Sequence, residues 1–376
     1  MLPLNWQRVR LGDIAEIIGG GTPSTQITSF WNGSINWFTP TEIGITKYVY
    51  KSQRTITLLG LKKSSAKLLP IGTILLTSRA SIGDCAILKV VATTNQGFQS
   101  LIPLEKINNE FLYYLILTLK NKLLELASGS TFLEVSPNKI KNLLIPLPPL
   151  NEQIAIANIL SDVDRYLYSL DALILKKESV KKALSFELLS QKKRLKGFNQ
   201  AWQRVRLGDI CEITTGSLDA NEMVHYGKYR FYTCAKEYYF IDKYAFDTEA
   251  ILISGNGAYV GYVHYYKGKF NAYQRTYVLD NFSEHIIFVK YFLTMFLQSH
   301  IQTNKNEGNT PYIVMATLKD FEIPIPPLNE QIAIANILSD LDSEIISLKN
   351  KKRQFENIKK ALNHDLMSAK IRVLNK

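Results

Sequence analysis

The chain has 376 residues, of which 46% are hydrophobic and 21% charged, and its formal net charge is +12 at pH 7. This length suits two or three domains. The charge favours a polyanionic partner such as nucleic acid, although a basic composition can also serve solubility alone. Cys85, Cys211 and Cys234 share no close spacing, which excludes a disulfide framework or a zinc knuckle and indicates a reduced, cytoplasmic setting.

Two phrases occur twice and make the chain a direct repeat. WQRVRLGDI begins at Trp6 and again at Trp202, and PPLNEQIAIANILSD fills positions 148–162 and, unchanged, 326–340. The sections between the phrases differ, and the second is shorter. Identical frames around different contents predict one fold used for two different tasks.

The first variable section reads as mixed α and β. Segments such as GTILLTS (72–78) predict strands, and residues 105–128 predict a helix. The apolar run in that helix, 111–119, is far below the roughly 20 residues that cross a bilayer. We therefore expect a buried helix and no membrane association.

A stretch without glycine or proline follows, from Asn151 to Lys196, and predicts a long helix. Asn151 suits an N-cap and Gly197 a C-terminal stop. Apolar residues at 3-4 spacing form a coiled-coil seam, interrupted by lysines: Leu160, Val163, Leu167, Leu170, Ile174, Lys177 and Lys181. The lysine-rich end of the helix suits a solvated face or a track along a DNA backbone.

The second variable section has the apolar rhythm of the first. Residues 250–265 align loosely with 73–88, and residues 271–281 with 93–103. From Asn329, a second N-cap candidate, to the C-terminus the long-helix pattern returns. Two such helices predict antiparallel pairing, and the alternative is that each packs on its own domain.

Motifs of DNA-modifying enzymes are missing. The proline pairs follow Leu147 and Ile325, so neither forms the Asn/Asp-Pro-Pro-aromatic loop of amino-methyltransferases, and we find no P-loop, nucleophile elbow, paired carboxylates or metal-ligand spacing. These absences argue against a stand-alone methyltransferase or nuclease, which is the alternative interpretation. A coiled-coil adaptor that binds no DNA is a third.

The chain resembles the DNA-specificity subunit of Type I restriction-modification systems. The resemblance rests on the duplicated W-x-x-V-x-L-G-D-I and P-x-P-P-L-x-E-Q-x-x-I-A-x-I-L-S-x-x-D and covers essentially the whole chain. The segments GGGTPST (19–25), FWNGSINWFTPTEI (30–43) and ATTNQGF (92–98) also resemble one class of target-recognition domain in that family.

The resemblance implies an α+β fold with two similar mixed α/β target-recognition domains. Two long helices separate them as an antiparallel coiled coil with pseudo-two-fold symmetry. The implied boundaries are 1–145 and 198–323 for the recognition domains and 146–197 and 324–376 for the spacer helices.

The resemblance also implies a function and partners. The chain would be a non-catalytic subunit, and each recognition domain would read one half of a split sequence in double-stranded DNA. Two methylation subunits, which carry S-adenosylmethionine, would dock on the helix region, and restriction subunits would join them. No cofactor is expected in this chain.

Polar and basic residues beside turns are the candidates for DNA contact, with solvated surface as the alternative for each. They are Lys47, Lys51, Arg54, Lys62, Lys63, Arg79, Asn95, Gln96, Lys228, Arg230, Asn256, Lys267, Lys269, Gln274 and Arg275. Twelve of the twenty tyrosines lie between Tyr226 and Tyr277, where they suit sheet packing or phosphate contacts. For partner docking the candidates are Asn151, Glu152, Gln153, Asn329, Glu330 and Gln331.

Overall fold

The computed structural model of the protein describes residues 3–79, 81–129, 133–303 and 311–373. The chain divides into two compact units. Unit 1 comprises Met1–Asp171 and Lys351–Lys376, and unit 2 comprises Ala172–Asn350. Each unit therefore contains one variable section and parts of both long helices.

Unit 1 is mixed α/β, as its sequence predicts. Its strands are β1 (Gln7–Arg10), β2 (Ala15–Gly19), β3 (Trp31–Phe38), β4 (Tyr48–Val49), β5 (Arg54–Ile56), β6 (Ile74–Leu76), β7 (Cys85–Leu88), β8 (Ala92–Thr94), β9 (Gln99–Pro103) and β10 (Leu144–Leu147). Its helices are α1 (Leu58–Lys62), α2 (Asn109–Thr118), α3 (Lys120–Leu126), α4 (Pro137–Lys141) and the start of α5 (Leu150–Leu189). The main sheet has the order β2-β9-β6-β7-β4, a second sheet has the order β5-β3-β8, and β1 pairs with β10.

Strand β6 shows why its segment is apolar at successive positions. Ile74 and Leu76 belong to a core that α2 completes with Phe111, whereas Leu75 belongs to a core that includes Phe38 of β3. Side chains alternate between the faces of a sheet, so a sheet covered on both faces needs apolar residues throughout. The buried helix predicted from the apolar run is confirmed, and no helix within the described ranges is long and apolar enough to cross a membrane.

Unit 2 repeats this plan with one continuous sheet. Its strands are β11 (Gln203–Arg206), β12 (Glu212–Thr215), β13 (Tyr229–Tyr232), β14 (Tyr239–Ile241), β15 (Phe246–Ser254), β16 (Val263–Ala272), β17 (Thr276–Asp280) and β18 (Glu322–Ile325). Its helices are α6 (Leu207–Ile210), α7 (Ile286–Thr303), α8 (Met315–Lys319) and much of α9 (Leu328–Met367). The sheet order is β12-β17-β15-β16-β13-β14, and β11 pairs with β18.

Two differences separate the sheet arrangements. Strand β4 of unit 1, which pairs in parallel with β7, has no counterpart among the described strands of unit 2, and the partners of β3 and β13 differ. In unit 1, β3 pairs in parallel with β8, a strand separate from β7. In unit 2, β13 pairs in parallel with the last residues of β16, which also pairs with β15. Strand β16 thus spans what β7 and β8 span together, and the two sheets of unit 1 become one in unit 2.

Both long helices begin two residues earlier than N-caps at Asn151 and Asn329 would place them. They start at Leu150 and Leu328, so the prediction that Asn151 and Asn329 are N-caps is wrong. The carbonyl of Pro149 accepts the N–H groups of Glu152 and Gln153 at 2.9 and 3.0 Å. The second proline of each PPL motif therefore holds the N-cap position.

The first long helix also ends before its predicted stop at Gly197. It ends at Leu189, and Gln191 adopts a φ of 61°. The N–H of Gln191 then donates to the carbonyl of Leu188 at 3.4 Å, which is the five-to-two bond of a Schellman motif, and the N–H of Lys193 donates to the carbonyl of Glu187 at 3.1 Å. Helix α9 ends in the same way after Met367, with Ala369 at 59°, and the final predicted residues 374–376 lie outside the described ranges.

Candidate functional site

The duplicated phrases meet in unit 1 at a buried carboxylate. Glu152 is 1% exposed and accepts a hydrogen bond of 3.1 Å from the indole of Trp6. Arg372 binds the same carboxylate through Nε at 2.8 Å and Nη2 at 3.2 Å. This Glu152 node joins the start of the globular section, the start of α5 and the segment after α9.

The same node recurs in unit 2 around Glu330, which is 0% exposed. Trp202 donates to it at 3.1 Å, and Arg194 binds it through Nε at 2.8 Å and Nη2 at 2.7 Å. Arg194 and Arg372 occupy the same position in the repeat. Each arginine therefore binds the glutamate of the other copy.

Gln153 and Gln331 make a second pair of matched contacts. Each amide donates to the carbonyl of the first proline of its PPL motif, at 2.9 and 2.8 Å. Each side-chain oxygen accepts a backbone N–H at 2.9 Å, from Asn108 in unit 1 and from His285 in unit 2. These bonds tie the start of each long helix to the globular section of its own unit.

Burial limits which of the predicted docking residues can touch a partner. As whole residues, Glu152, Gln153, Glu330 and Gln331 are at most 1% exposed, and direct contact with a partner is not compatible with that burial. Sequence inspection missed that Glu152 and Glu330 bind arginines, because Arg372 and Arg194 lie outside the duplicated phrase and far in sequence from the glutamates they bind. Asn151 and Asn329 are exposed, so docking remains a prediction for them.

Lys47, predicted to contact DNA, is instead part of a polar cluster inside unit 1. Its Nζ lies 2.5 Å from Glu110 Oε2 and 2.8 Å from the hydroxyl of Tyr114. That hydroxyl donates to Asp164 of α5 at 2.5 Å, and Lys359 of α9 pairs with the same carboxylate. Burial lowers the pKa of Lys47. The ammonium group of Lys47 is thus paired with internal acceptors, and DNA contact by Lys47 stays a prediction.

Unit 2 contains the equivalent cluster. Tyr291 donates to Asp342 at 2.6 Å, and Lys181 pairs with Asp342. Burial alone would raise the pKa of Asp342, but the hydrogen bonds from Lys181 and Tyr291 and the Lys181 charge outweigh it, so its pKa is lowered. In both units a tyrosine of the globular section, an aspartate of one long helix and a lysine of the other meet.

The seam lysines are all ion-paired. Besides the two pairs above, Lys177 lies 2.8 Å from Glu344, and Lys352 lies 2.6 Å from Asp171. Within each unit these contacts join one long helix to the other. Of the lysine-rich end of α5, Lys177, Lys181 and Arg194 thus serve the framework of unit 2, and DNA contact by the rest stays a prediction.

A third repeated phrase contains two of these lysines, Lys181 and Lys359, and sequence inspection missed it. ESVKKALSFELLS at 178–190 and ENIKKALNHDLMS at 356–368 are related by the same offset as the PPL phrases and share seven of thirteen letters, including the run KKAL. In unit 1 the second copy lines a groove of about 650 Å³ with Glu356, Lys359 and Lys360. In unit 2 the first copy lines a groove of about 400 Å³ with the equivalent residues: Glu178, Lys181 and Lys182.

Arg79, Asn95 and Gln96 lie together on one loop cluster of unit 1. The N–H of Arg79 donates to the carbonyl of Gly97 at 3.4 Å, and the side-chain oxygen of Asn95 accepts the N–H of Gly97 at 2.9 Å. The hydroxyl of Thr22, in the GGGTPST segment, hydrogen-bonds the side-chain oxygen of Gln96. Arg79 also pairs with Glu134 at 2.9 Å.

Asn256, Gln274 and Arg275 lie together on loops of unit 2. The N–H of Gly255 donates to the carbonyl of Arg275 at 2.8 Å. The side-chain amide of Gln274 donates to Asp219 Oδ1 at 2.9 Å. Gln274 and Arg275 are exposed, and Asn256 is partly exposed.

Backbone hydrogen bonds make these two loop clusters equivalent. The bond from Gly255 to Arg275 has its counterpart from Ser78 to Gly97, also at 2.8 Å, and the chain after β8 returns to β3 as the chain after β16 returns to β13. The paired positions are Arg79 with Asn256, Asn95 with Tyr273, Gln96 with Gln274, and Gly97 with Arg275. The frame is shared, and three of the four side-chain pairs differ.

The remaining candidates are spread over the surface and not brought into these clusters. Lys51, Lys62, Lys63 and Lys228 are exposed. Lys267 and Lys269 project from β16 and pair with Glu249 at 3.0 Å and Asp247 at 3.8 Å on β15. These pairs leave most of the Lys267 side chain accessible, at 72%.

Two of the candidate arginines are stacked on aromatic rings. Arg54 lies 3.7 Å above the ring of Trp31. Arg230 lies between Tyr238 and Tyr266, at 4.3 and 4.4 Å from their ring centres. Such stacking fixes the guanidinium plane while leaving its edge available.

Two segments of the chain, residues 3–179 and 199–357, match the family described as the Type I restriction modification DNA specificity domain. The chain is 30% identical, over 99% of its length, to the Type I restriction enzyme MjaIX specificity subunit of Methanocaldococcus jannaschii, of which it covers 95%. It is 39% identical, over 42% of its length, to the Type I restriction enzyme EcoDI specificity subunit of Escherichia coli, of which it covers 35%.

The fold is also similar to solved structures. The S subunit of a Type I restriction-modification system from M. genitalium matches with a TM-score of 0.63 at 20% identity, covering 97% of this chain and 98% of that one. The HsdS subunit from Thermoanaerobacter tengcongensis matches with a TM-score of 0.56 at 19% identity, covering 98% of each chain. Because the family matches span most of both repeats, the chain belongs to the family of Type I restriction-modification DNA specificity subunits.

Proposed function

We propose that the globular section of each unit reads one half of a split sequence in double-stranded DNA. The observation that carries this proposal is the pair of equivalent loop clusters, which share backbone hydrogen bonds and differ in side chains. Bases are distinguished by side-chain groups rather than by backbone position. The chain is a DNA-recognition subunit and not an enzyme, and the stand-alone methyltransferase or nuclease is not favoured.

The long helices join the two readers and, in this proposal, pair antiparallel as a coiled coil with pseudo-two-fold symmetry. The support is reciprocal: Lys181 pairs with Asp342 in unit 2, and the repeat-equivalent Lys359 pairs with Asp164 in unit 1. The domains would then be 1–145 and 198–323 for the readers and 146–197 and 324–376 for the spacers.

Two methylation subunits, which would carry S-adenosylmethionine, are the proposed partners on the helices, with restriction subunits joining them in the cytoplasm. The duplicated grooves support this stoichiometry. Each presents a glutamate and two lysines at matching positions, Glu178 to Lys182 in one unit and Glu356 to Lys360 in the other. Two similar surfaces suit two copies of one partner, and the exposed Asn151 and Asn329 are further docking candidates.

The test of independent reading is an exchange of one section. Residues 18–145 are replaced with the corresponding section of another family member, and the methylated motif is sequenced in cells that also make the methylation subunits. One half of the motif should change and the other should stay. If both halves change together, the readers are not independent.

The spacing role has its own test. A seven-residue insertion keeps a heptad seam in phase and lengthens a helix by about 10.5 Å. Made after Leu170 and after Leu348 together, it should add up to about three base pairs of unread spacer, at roughly 3.4 Å per base pair. Insertion of three residues instead rotates the seam and should abolish assembly. An active seven-residue variant with the original spacer would show that the helices do not set the distance.

A further inference from the structure

The equivalent glutamines Gln96 and Gln274 are held by opposite ends of the amide. The Nε2 of Gln274 donates to Asp219 Oδ1 at 2.9 Å. An ionised carboxylate only accepts hydrogen bonds, so the nitrogen of Gln274 has to face Asp219. The amide oxygen and the second N–H are then the groups left for another partner.

Gln96 is held less strictly. Its side-chain oxygen is hydrogen-bonded by the hydroxyl of Thr22. A hydroxyl can donate or accept, so Thr22 is compatible with either orientation of the Gln96 amide. The chemistry of its partner therefore fixes the orientation of Gln274 and leaves that of Gln96 adjustable.

Asp219 is itself held in place. Its N–H donates to Glu222 Oε1 at 3.0 Å, and the N–H of Glu222 donates back to the carbonyl of Asp219 at 3.2 Å. The backbone N–H of Gln274 also donates to the carbonyl of Leu218 at 2.9 Å. The loop that carries the carboxylate and the loop that carries the glutamine are thus joined twice, which lowers the entropy lost when the amide meets a ligand.

We propose that Gln274 is a specificity-determining residue of unit 2 that reads an adenine, and that Asp219 is its positioning residue. The free oxygen of Gln274 accepts from the adenine N6 amino group, and the remaining N–H donates to adenine N7 in the major groove. Cytosine satisfies only the oxygen, and guanine and thymine offer no amino group on that edge. This inference rests on the proposed function of unit 2.

The test uses the full chain with its methylation subunits in cells, with the methylated motif read by sequencing. The half of the motif read by unit 2 is first assigned by the exchange of residues 18–145. In Asp219→Asn the new side chain can either accept a hydrogen bond from the Gln274 amide or donate one to it. The variant therefore no longer fixes the orientation of that amide. We expect an adenine at one position of that half to lose its preference over other bases by about tenfold, and the other half to stay unchanged.

Two further variants separate positioning from folding. Asp219→Glu keeps the carboxylate and should restore most of the adenine preference, whereas a purely structural defect would lower methylation at all positions. Gln274→Leu should remove the preference altogether. The inference is overturned if Asp219→Asn or Gln274→Leu leaves every base of that half as selective as in the unaltered chain.

The matched variant in unit 1 is Thr22→Val. Because Thr22 does not fix the orientation of Gln96, this change should affect selectivity less than Asp219→Asn does, and an equal or larger effect would contradict the inferred difference. A complex that methylates no split motif at all would defeat the proposed function instead, so the two failures are distinguishable.

Discussion

The two units agree where the long helices meet the globular sections and differ at the loop clusters. Glu152 and Glu330 each hold a tryptophan and an arginine, with nearly the same distances. A buried carboxylate with two such partners cannot change alone, because any single replacement leaves a buried polar group unsatisfied. Arg79 and Asn256 are partly exposed, so water can solvate their polar groups after a change and they carry no such constraint. Shared contacts therefore mark the framework, and differing exposed side chains mark the readers.

The largest effect should come from breaking a node. Glu330→Ala leaves Arg194 and the Trp202 indole without their acceptor and should lower the free energy of unfolding by about 3 kcal/mol, with partial solvation of the arginine limiting the loss. Glu152→Ala should cost the same, since its contacts match. Denaturant unfolding of the full chain measures both, with Glu322→Ala, in an exposed pair with Arg204, as a control below about 1 kcal/mol. Unequal losses of unfolding free energy for the two glutamates would contradict the equivalence of the two nodes.

A smaller effect is expected at the tyrosine-aspartate-lysine clusters. Asp342→Asn removes the charge that Lys181 and Tyr291 meet and should cost about 2 kcal/mol at neutral pH. The folded-state pKa of Asp342 is lowered, so its contribution is present above its ordinary pKa of 3.8 and is lost as the pH falls through the folded value. Unfolding followed from pH 7 to pH 2 should therefore show a shallower acid slope in the variant. A slope equal to that of the unaltered chain would contradict this assignment.

Replacing either stacked arginine should lower the free energy of unfolding by less than the changes above. Arg230→Ala and Arg54→Ala each lose contacts with two aromatic rings, so each should lower the free energy of unfolding by about 1 kcal/mol. The effect at Arg230 should be the larger, because both of its rings lie within 4.4 Å. Thermal unfolding of both variants beside their lysine counterparts checks this. Full retention of stability by Arg230→Lys would show that the planar group is not needed there.

The smallest effects should come from exposed lysines. Lys62→Gln in unit 1 and Lys228→Gln in unit 2 each remove one charge beside a proposed reader. If that charge meets a phosphate, the slope of log affinity against log salt falls by about 0.9, equally for every duplex sequence. Titration of labelled duplexes at several salt concentrations measures the slope. A loss confined to one target sequence would assign the lysine to base reading instead.

The repeat and the mixed α/β sections could be predicted because they depend on local patterns. GTILLTS and the run at 111–119 form a strand and a buried helix for the reasons of periodicity that predict them. The helix ends could not, because the stop at Leu189 is made by Gln191 in a left-handed conformation rather than by Gly197. A helix end of this kind leaves little trace in residue type when no glycine takes the left-handed position.

The site was only partly predictable for a related reason. Arg79, Asn95 and Gln96 were found beside turns, and they do share a loop cluster. The internal acceptors of Lys47, Glu110 and Tyr114, could not be predicted, because they come from a helix that no local pattern connects to it. Sequence position shows that a residue is polar and near a turn, but only the tertiary fold shows which acceptors have already taken its charge.

The reciprocal nodes also set an order of events during synthesis. Unit 1 contains Met1–Asp171 and Lys351–Lys376, and its core includes Leu366 and Met367. The ribosome makes all of Ala172–Asn350 between these two parts, which takes roughly 10 to 40 s at about 5–20 residues per second. The unit whose first residue emerges earliest is therefore completed last. Until Arg372 has emerged, Glu152 lacks its arginine. A premature stop codon late in the message therefore leaves the unit that contains the N-terminal reader incomplete.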